Sequence, residues 1–356
     1  MSDALAPREV PLLTPHLAGS GGSTRLSEED FRVEELPLYE PSGEGSHLYV
    51  TIEKVGRTTP EVARELADAL GARERDVGYA GLKDKRAVSV QQFSVPAGNR
   101  GAEVRERAAG LAGAGWRVTA AALHGNKLRP GHLRGNRFRV VVRGVASDAL
   151  GRAGRICDEL RDRGAPNLYG PQRFGRRGDN AALGAAILRR DAAPKNRFLR
   201  RLALSALQAE LFNRCLAARL RDGLFERAID GDVLRKRQTG GLFVSENAAL
   251  DTERVRSGEV DPAGPLPGHS LLAAHGEALA REQSVLDEAG LDVRSFAVGG
   301  DEMEGARRPY RVPVEDLRLE PVSEGALVLT FMLPKGSYAA CVLREVTKEA
   351  APAEDE

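Results

Sequence analysis

Residues that build covalent or metal-linked frameworks are scarce in this sequence. Among its 356 residues there are three cysteines and six histidines, and Cys157, Cys215 and Cys341 are far apart. The cysteines make neither a CxxC pair nor a disulfide framework, and the histidines make no HExxH motif. We therefore expect no disulfide framework and no structural zinc.

Long apolar runs and nucleotide-binding motifs are also missing. No run of about 18 apolar residues could span a membrane. The N-terminus, MSDALAPREV, lacks the basic start and apolar stretch of a secretory signal. There is no GxxxxGKS/T loop and no GxGxxG after a predicted strand, so nucleotide hydrolysis and nicotinamide redox chemistry lack their usual motifs. These absences predict a cytoplasmic protein without a membrane span.

The length favours two domains. A chain of 356 residues with 42% hydrophobic residues exceeds the size of about 250 to 300 residues at which single cores stop growing. The order of elements predicts an α+β fold with a helical domain inserted into a mixed one, and a plain tandem of two domains is the alternative. The predicted strands are Phe31–Glu34, His47–Glu53, Val77–Tyr79, Val88–Val95 and Phe138–Arg143, followed by helices near 147–163, 199–220 and 271–289 and by β character at Leu327–Phe331 and Tyr338–Arg344.

Three further segments are distinctive. Residues 1–24 end in LAGSGGST, a Gly/Ser-rich stretch that we expect to be flexible and not to join a core. The clearest helix is TTPEVARELADALG, with Thr59 as its N-cap and Pro60 at its first position. DPAGPLPGHS, at residues 261–270, has the composition of a loop.

Charge is segregated along the chain although the formal net charge is only +1. Between residues 126 and 144 there are six basic residues and no acidic one, and between 173 and 201 there are nine basic and two acidic residues. Such clusters bind phosphate backbones largely irrespective of sequence, and the Gly, Asn and Phe among them suit single-stranded or flipped bases. Taken alone, a solvated surface is the more usual explanation.

Two short motifs contain residues suited to chemistry. Asp84 stands between Lys83 and Lys85 in a turn opened by glycine. Flanking cations favour an ionised carboxylate, as a nucleophile or an electrostatic stabiliser requires. Asn136 and Phe138 have the spacing to address one base by edge hydrogen bonding and stacking. The structural alternatives are a simple turn at Asp84 and an Asx turn followed by a core phenylalanine.

Beyond these motifs, long segments resemble, in order, the TruD family of tRNA pseudouridine synthases. GYAGLKDKRAVSVQQF is similar to the catalytic motif of that family, LRPGHLRGNRFRVVVRG to its second motif, and GAPNLYGPQRFGRRGDN to the segment that opens its inserted domain. The similarity continues through DFRVEE, GEGSH, RTTPEVA, LSALQAELFN and FMLPKGSYAACVLRE. It covers essentially all of residues 25–345, and long sequential motifs make a chance match implausible.

The resemblance implies a fold and an activity. The fold is a pseudouridine synthase core, an antiparallel sheet with flanking helices, formed by residues 25–163 and 309–345. A mostly helical TRUD domain is inserted at 164–308, with a V-shaped RNA cleft, which leaves residues 1–24 as a flexible N-terminus and residues 346–356 as an acidic tail. The activity is isomerisation of uridine to pseudouridine in tRNA, at position 13 of the D-arm. It needs no cofactor and no metal, and we expect a monomer whose partner is tRNA.

The resemblance also implies roles for individual residues. Asp84 is the essential carboxylate, although its chemical path, by attack on the ribose, attack on the base or removal of a ribose proton, stays open. Arg25 supplies the cation that keeps it ionised, and Asn136 lies near the nucleotide. The active-site phenylalanines are Phe31, Phe138 and Phe331, expected to stack on the base and exclude water. The expected RNA contacts are Lys83, Lys85, Arg129, Arg134, Arg173 and Arg197, with a role at the domain junction as the alternative for Arg173.

Two other functions remain to be weighed. An RNA-binding or RNA-folding protein would use the same basic cleft without turnover, but binding alone would not need a carboxylate facing a polyanion. An aspartate-dependent glycosidic hydrolase is weaker, because no second carboxylate is suggested at the spacing that such hydrolysis requires. The sequence therefore favours the synthase.

Overall fold

The computed structural model of the chain describes residue 5 and residues 7–24, 26–323 and 325–349. Its helices are α1 (Thr59–Leu70), α2 (Gly101–Ala108), α3 (Ala149–Arg163), α4 (Asn180–Leu188), α5 (Arg197–Arg221), α6 (Ala248–Arg256), α7 (Gly276–Glu288) and α8 (Ala340–Thr347). Its strands are β1 (Ser23–Thr24), β2 (Phe31–Pro37), β3 (His47–Val55), β4 (Gly78–Tyr79), β5 (Val88–Pro96), β6 (Ala112–Gly113), β7 (Trp116–His124), β8 (Leu133–Arg143), β9 (Ala165–Pro166), β10 (Val233–Lys236), β11 (Leu242–Val244), β12 (Val260–Leu266), β13 (Ala306–Pro309), β14 (Arg311–Val312), β15 (Glu315–Ser323) and β16 (Ala326–Pro334). No described helix is both long and apolar enough to cross a membrane.

Ten strands form one large sheet. Eight of them follow the order β15-β16-β8-β2-β5-β3-β7-β6, and β1 and β4 add to β8 and β5. Every pair is antiparallel except β2 with β5, which run parallel. The predicted α+β class, with an antiparallel sheet and flanking helices, is therefore confirmed.

Two apolar cores pack against this sheet. The larger core joins β2, β8 and β16 to α3 and α8 and continues into α4 and α5. The smaller core packs β3 and β5 against α1 and α2. In β3 the predicted alternation is observed, because Leu48, Val50 and Ile52 all have 0% exposure. The same parity places Lys54 inside as well, at 0% exposure.

The segment between β9 and β14 contains α4–α7 and a four-stranded sheet in the order β11-β10-β12-β13. Because β9 pairs with β14, the chain leaves and re-enters the rest of the fold at one place. The expectation that DPAGPLPGHS is a loop is wrong for its first half, which lies in β12. A proline lacks only the backbone donor, and the carbonyl of Pro262 still accepts from Tyr310 N at 2.9 Å.

Both chain ends correct the sequence-based expectations. Val10 and Leu13 belong to the larger core, so the described part of residues 1–24 does join a core. The Glu345 carboxylate accepts from Leu13 N at 2.8 Å and from Thr14 Oγ1 at 2.8 Å. The strand expected at Tyr338–Arg344 is instead the start of α8, which extends to Thr347, two residues into the predicted tail. Residues 350–356 lie outside the described part.

The N-cap of α1 is Thr58 rather than Thr59. The Thr58 hydroxyl accepts from Glu61 N, and the Glu61 carboxylate accepts in return from Thr58 N at 2.7 Å, which makes a capping box. Thr59 is thereby free to turn inward, where it is fully buried. This shift of one position places a hydroxyl beneath the Asp84 turn.

Candidate active site

A cavity of about 960 Å³ opens beside the centre of the large sheet. Its walls come from residues 22–24 and 26, from residues 80–84, from residues 131–138 and from the C-terminal segment 335–349. The described part of the inserted segment contributes Gln172 to the lining. The cavity is therefore built mainly by the core, including both ends of the chain.

The three predicted active-site phenylalanines form a layer at this cavity. Strand β8 lies between β2 and β16, and its Phe138 is the register partner of both Val33 and Phe331. The rings of Phe138 and Phe331 stack with centroids 5.3 Å apart, and Phe31 meets Phe138 edge to face at 6.0 Å. Phe31 and Phe138 line the cavity, while Phe331 is fully buried behind Phe138. The structure thus brings all three together.

Asp84 lies in the turn between β4 and β5, which we call the Asp84 loop (residues 80–87). Its side chain is half-buried and lines the cavity together with Phe31 and Phe138. Arg25, predicted to keep this carboxylate ionised, lies outside the described residues. Its neighbours Thr24 and Leu26 both line the cavity. Arg86 also lines it and is exposed.

A buried lysine, Lys54, is hydrogen-bonded to the backbone of the Asp84 loop on its interior side. Lys54 Nζ donates to the carbonyl oxygens of Arg57 at 2.7 Å, Asp84 at 3.0 Å and Lys83 at 3.4 Å. Burial lowers the pKa of Lys54 to about 8, and the charge of Asp84 opposes this shift. A cation therefore lies under the backbone of the predicted catalytic residue.

A buried ion pair holds the loop from the side. Lys83 Nζ lies 2.6 Å from Glu35 Oε2, and the two side chains are 6% and 1% exposed. The other Glu35 oxygen accepts from Gln92 N at 3.2 Å. The Lys83 ammonium is thus buried and paired with Glu35, although Lys83 also lines the cavity, and its predicted contact with RNA stays a prediction.

Asn136 lies on the opposite wall of the cavity, two residues before Phe138 on β8. Its amide oxygen is buried and has no hydrogen-bond partner among the described residues. An unsatisfied buried acceptor is costly, by about 1–3 kcal/mol. A ligand that donates a hydrogen bond at this position would remove that penalty.

The other predicted RNA contacts are spread over the surface. Lys85 and Arg134 are exposed beside the cavity, and Arg197 is exposed at the start of α5. Arg129 lines a different groove, of about 980 Å³, whose other cations are Arg73, Arg75 and Lys127. Its Tyr79 and Pro130 directly precede Ala80 and Gly131, which line the cavity and are joined by a hydrogen bond from Gly131 N to Ala80 O at 2.8 Å.

Arg173 has a more structural place than the basic cluster suggests. Its guanidinium lies 5.5 Å from the centroid of the Tyr169 ring and donates to Ser205 Oγ. Arg308 lies over the same ring at 4.3 Å. The alternative prediction, a role at the junction of the inserted segment, therefore fits Arg173 better than a phosphate contact does.

Sequence reasoning missed the residues that hold the Asp84 loop, namely Lys54, Glu35, Thr59 and Gln91. For Lys54 a signal existed, because its position continues the buried parity of β3. The cationic residues Lys335 and Arg344, which line the cavity, were missed as well. Among the described residues, no three His, Cys, Asp or Glu side chains are grouped closely enough to hold a metal ion.

The fold has a solved counterpart. The crystal structure of a Methanosarcina mazei protein described as tRNA pseudouridine synthase D superposes with a TM-score of 0.76, covering 96% of this chain and 99% of that one. The identity is 24%, so the likeness concerns the fold alone. It places the chain in the class of proteins that share the fold of that structure.

Sequence comparison narrows this class to a family. A family model described as tRNA pseudouridine synthase D (TruD) matches residues 9–195 and 194–346, and the chain belongs to the TruD family. A relative from Anaeromyxobacter sp. (strain Fw109-5), named tRNA pseudouridine synthase D, is 53% identical over 96% of this chain and 97% of its own length. A relative of the same name from Thermus thermophilus is 43% identical over 97% of this chain and 94% of its own length.

Proposed function

We propose that the protein isomerises uridine to pseudouridine in tRNA, at position 13 of the D-arm, with Asp84 as its essential carboxylate. Membership of the TruD family supports the activity. The observation that supports the site is the cavity in which Asp84 faces Phe31, Phe138 and Asn136. As part of this proposal the protein is a cytoplasmic monomer that acts on tRNA.

The proposed reaction exchanges two bonds and consumes no co-substrate. The bond between ribose C1′ and uracil N1 breaks, the uracil turns within the cavity, and a bond between C1′ and C5 forms. The proton on C5 is lost and N1 gains one, so that the product is an isomer of the substrate. Because C1′ is inaccessible in a stacked strand, the uridine must first be turned out into the cavity.

The cavity wall supplies contacts for the turned-out base. The apolar faces of Phe31 and Phe138 exclude water and offer a surface for uracil to contact. Uracil has one ring donor, N3–H, beside two carbonyl acceptors. The unpartnered amide oxygen of Asn136 accepts from that donor, which distinguishes uracil from cytosine, whose N3 is an acceptor.

The surroundings supply cations for the RNA backbone. Lys85, Arg86 and Arg134 are exposed around the Asp84 loop and β8. The groove that contains Arg129 is lined by Tyr79 and Pro130, the sequence neighbours of Ala80 and Gly131, which line the cavity. We propose that the strand flanking the target uridine runs along this groove, where four cations outnumber one acidic residue, Glu74, and meet phosphates without base-specific contacts.

Tritium release tests the function directly. A tRNA transcript with a uridine at position 13, labelled with tritium at uracil C5, is incubated with the protein, and released tritium is counted. We expect about one tritium released per tRNA, and release that disappears when position 13 is changed to cytidine. Tight tRNA binding without tritium release would favour the RNA-binding alternative instead.

A further inference from the structure

The polar groups beneath the Asp84 loop form one connected network. Lys54 Nζ donates hydrogen bonds to the carbonyl oxygens of Lys83 and Asp84. On the neighbouring side, Lys83 N donates to Thr59 Oγ1 at 3.0 Å, and Thr59 Oγ1 donates to Gln91 Oε1 at 2.8 Å. Gln91 Nε2 donates to Gly81 O at 3.1 Å, which closes the network on the loop itself.

These contacts hold the backbone on both sides of the carboxylate. Between residues 81 and 84 they engage one N–H group and three carbonyl groups. Lys54 Nζ also donates to the carbonyl oxygen of Arg57 at 2.7 Å. This hydrogen bond joins the loop to the end of β3 and the start of α1. The loop is therefore fastened to two elements of the smaller core rather than left as a surface turn.

General stability does not explain such an arrangement. Lys54, Thr59 and Gln91 are 0%, 0% and 1% exposed. Burying an ammonium group and two further polar side chains is less favourable than burying apolar ones of similar size, unless every partner is satisfied. The carbonyl partners of Lys54 carry no full charge, so they do not fully offset the cost of burying its ammonium group. Apolar side chains of similar size would stabilise the fold more. What the network does achieve is a fixed backbone at the residue that carries Asp84.

We propose that Lys54 is a positioning residue for Asp84, and that together with Thr59 and Gln91 it locks the Asp84 loop in its reactive geometry. This inference rests on the proposed function, because it takes Asp84 to be the essential carboxylate. Lys54 acts through the backbone and does not touch the uridine. Displacement of a reacting group by about 1 Å is enough to slow a reaction about a hundredfold.

Two near-isosteric substitutions test the lock. Lys54→Met keeps the length of the side chain and removes the ammonium group, and Thr59→Val keeps the shape and removes the hydroxyl. We expect kcat for pseudouridine formation to fall about a hundredfold for Lys54→Met and about tenfold for Thr59→Val. The tRNA dissociation constant should stay within about twofold of wild type, because the surface that meets RNA is unchanged.

The matched control is Lys236→Met. This lysine is exposed on β10 of the inserted segment and is not among the residues that line the cavity. It should leave kcat and tRNA affinity as in wild type. If Lys54→Met instead retains kcat within about threefold, or if its entire loss lies in tRNA affinity, the positioning role is refuted.

A pH profile separates positioning from mere folding. With a pKa of about 8, Lys54 loses its proton as the pH rises from 7 to 9. The neutral amine has one donor fewer for three carbonyl oxygens. The charged groups that influence Lys54 are Asp84, Lys83 and Glu61. Wild-type kcat should therefore decline above pH 8, and this decline should be missing in Lys54→Met; a decline of equal size in both would contradict the inference.

Hydrogen exchange of the whole protein gives a readout that does not depend on activity. Peptides covering residues 80–87 should exchange faster in Lys54→Met and Thr59→Val than in wild type, while peptides from α5 stay unchanged. Faster exchange together with a wild-type protein that makes no pseudouridine would refute the proposed function and leave the loop lock standing. Unchanged exchange in both variants would refute the lock, whatever the activity.

Discussion

The lysines that hold the Asp84 loop and most cations of the basic segment at residues 173–201 differ in burial, although both regions look alike in sequence. Both are rich in Lys and Arg. Around the loop, Lys83 and Lys54 are buried, one paired with a carboxylate and one bonded to carbonyl groups. In the basic segment the exposed cations are Arg176, Arg177, Arg189, Arg190, Lys195, Arg197 and Arg201. Charge that is fixed inside shapes a site, whereas charge that remains in water is available to a polyanion.

The largest effect expected on the buried side of this comparison comes from the carboxylate itself. Asp84→Asn removes the ionised group and keeps its size, so conversion of uridine should fall by at least about a thousandfold while tRNA binding stays largely intact. Tritium release and filter binding measure the two quantities. Tritium release by Asp84→Asn at the wild-type rate would show that another group carries the chemistry.

Breaking the buried ion pair should affect folding more than binding. Glu35→Gln leaves the Lys83 ammonium buried without a countercharge, which should lower the free energy of unfolding by about 3 kcal/mol. The matched control is the preceding residue, since Glu34 pairs with Arg137 at 2.9 Å with both side chains nearly half exposed. Glu34→Gln should change the unfolding free energy by less than about 1 kcal/mol. Equal losses in urea titrations would erase the distinction between the two regions.

On the exposed side, the effect should appear in salt dependence. Arg197→Ala removes a solvated cation, so tRNA affinity should fall by about tenfold or less, and the slope of log affinity against log salt should become shallower by about one. Arg173→Ala, which loses its contacts with Tyr169 and Ser205, should lower the melting temperature and change the slope less. If Arg173→Ala changes the salt slope more than Arg197→Ala does, the assignment of these two arginines is reversed.

The smallest effect belongs to a pair intermediate between the two regions. Asp30 is buried and accepts from Arg143 at 2.7 Å, while Arg143 is half exposed. This hydrogen bond lowers the pKa of Asp30 below its usual value of 3.8. A lowered folded-state pKa contributes stability above the unfolded-state pKa, and that contribution is lost as the pH falls through the folded-state value. Asp30→Asn should thus cost about 1 kcal/mol at pH 7, as measured by urea unfolding, and this cost should shrink steadily as the pH falls below 3.8; a cost that stays constant as the pH falls would contradict this assignment.

Sequence patterns predicted the buried apolar features better than the buried polar ones. The alternation in β3 and the period of α1 follow from apolar residues, whose destination is the core. The run from Tyr338 to Arg344 is too short for its period to distinguish strand from helix, and packing against α3 resolves it as α8. The prolines in β12 suggested a loop because they lack a backbone N–H group. Whether their carbonyl groups still pair depends on the neighbouring strands, which the sequence pattern does not show.

In the candidate site, too, the sequence identified some residues and missed the buried polar ones. Asp84, Asn136, Phe31, Phe138 and Phe331 were named from the sequence, and the structure brings them to one cavity and its supporting layer. The lock under the loop was missed, because Lys54, Thr59 and Gln91 come from three separate elements, β3, α1 and β5, and only tertiary packing joins them. Adjacent threonines illustrate the limit, since either Thr58 or Thr59 can cap α1 and only the packing shows which one turns inward.

The backbone of Leu13 and Thr14 is hydrogen-bonded to the Glu345 carboxylate, and we call this contact the seam. It determines when the cavity can be completed during synthesis of the protein. Its partners are separated by about 330 residues, and the C-terminal segment that the seam anchors is one wall of the cavity beside Asp84. A ribosome makes the N-terminal half of the seam more than 300 residues before the C-terminal half. A nascent chain therefore cannot assemble the complete cavity until residues 335–349 have been synthesised, and a chain cut short before residue 335 lacks that wall altogether.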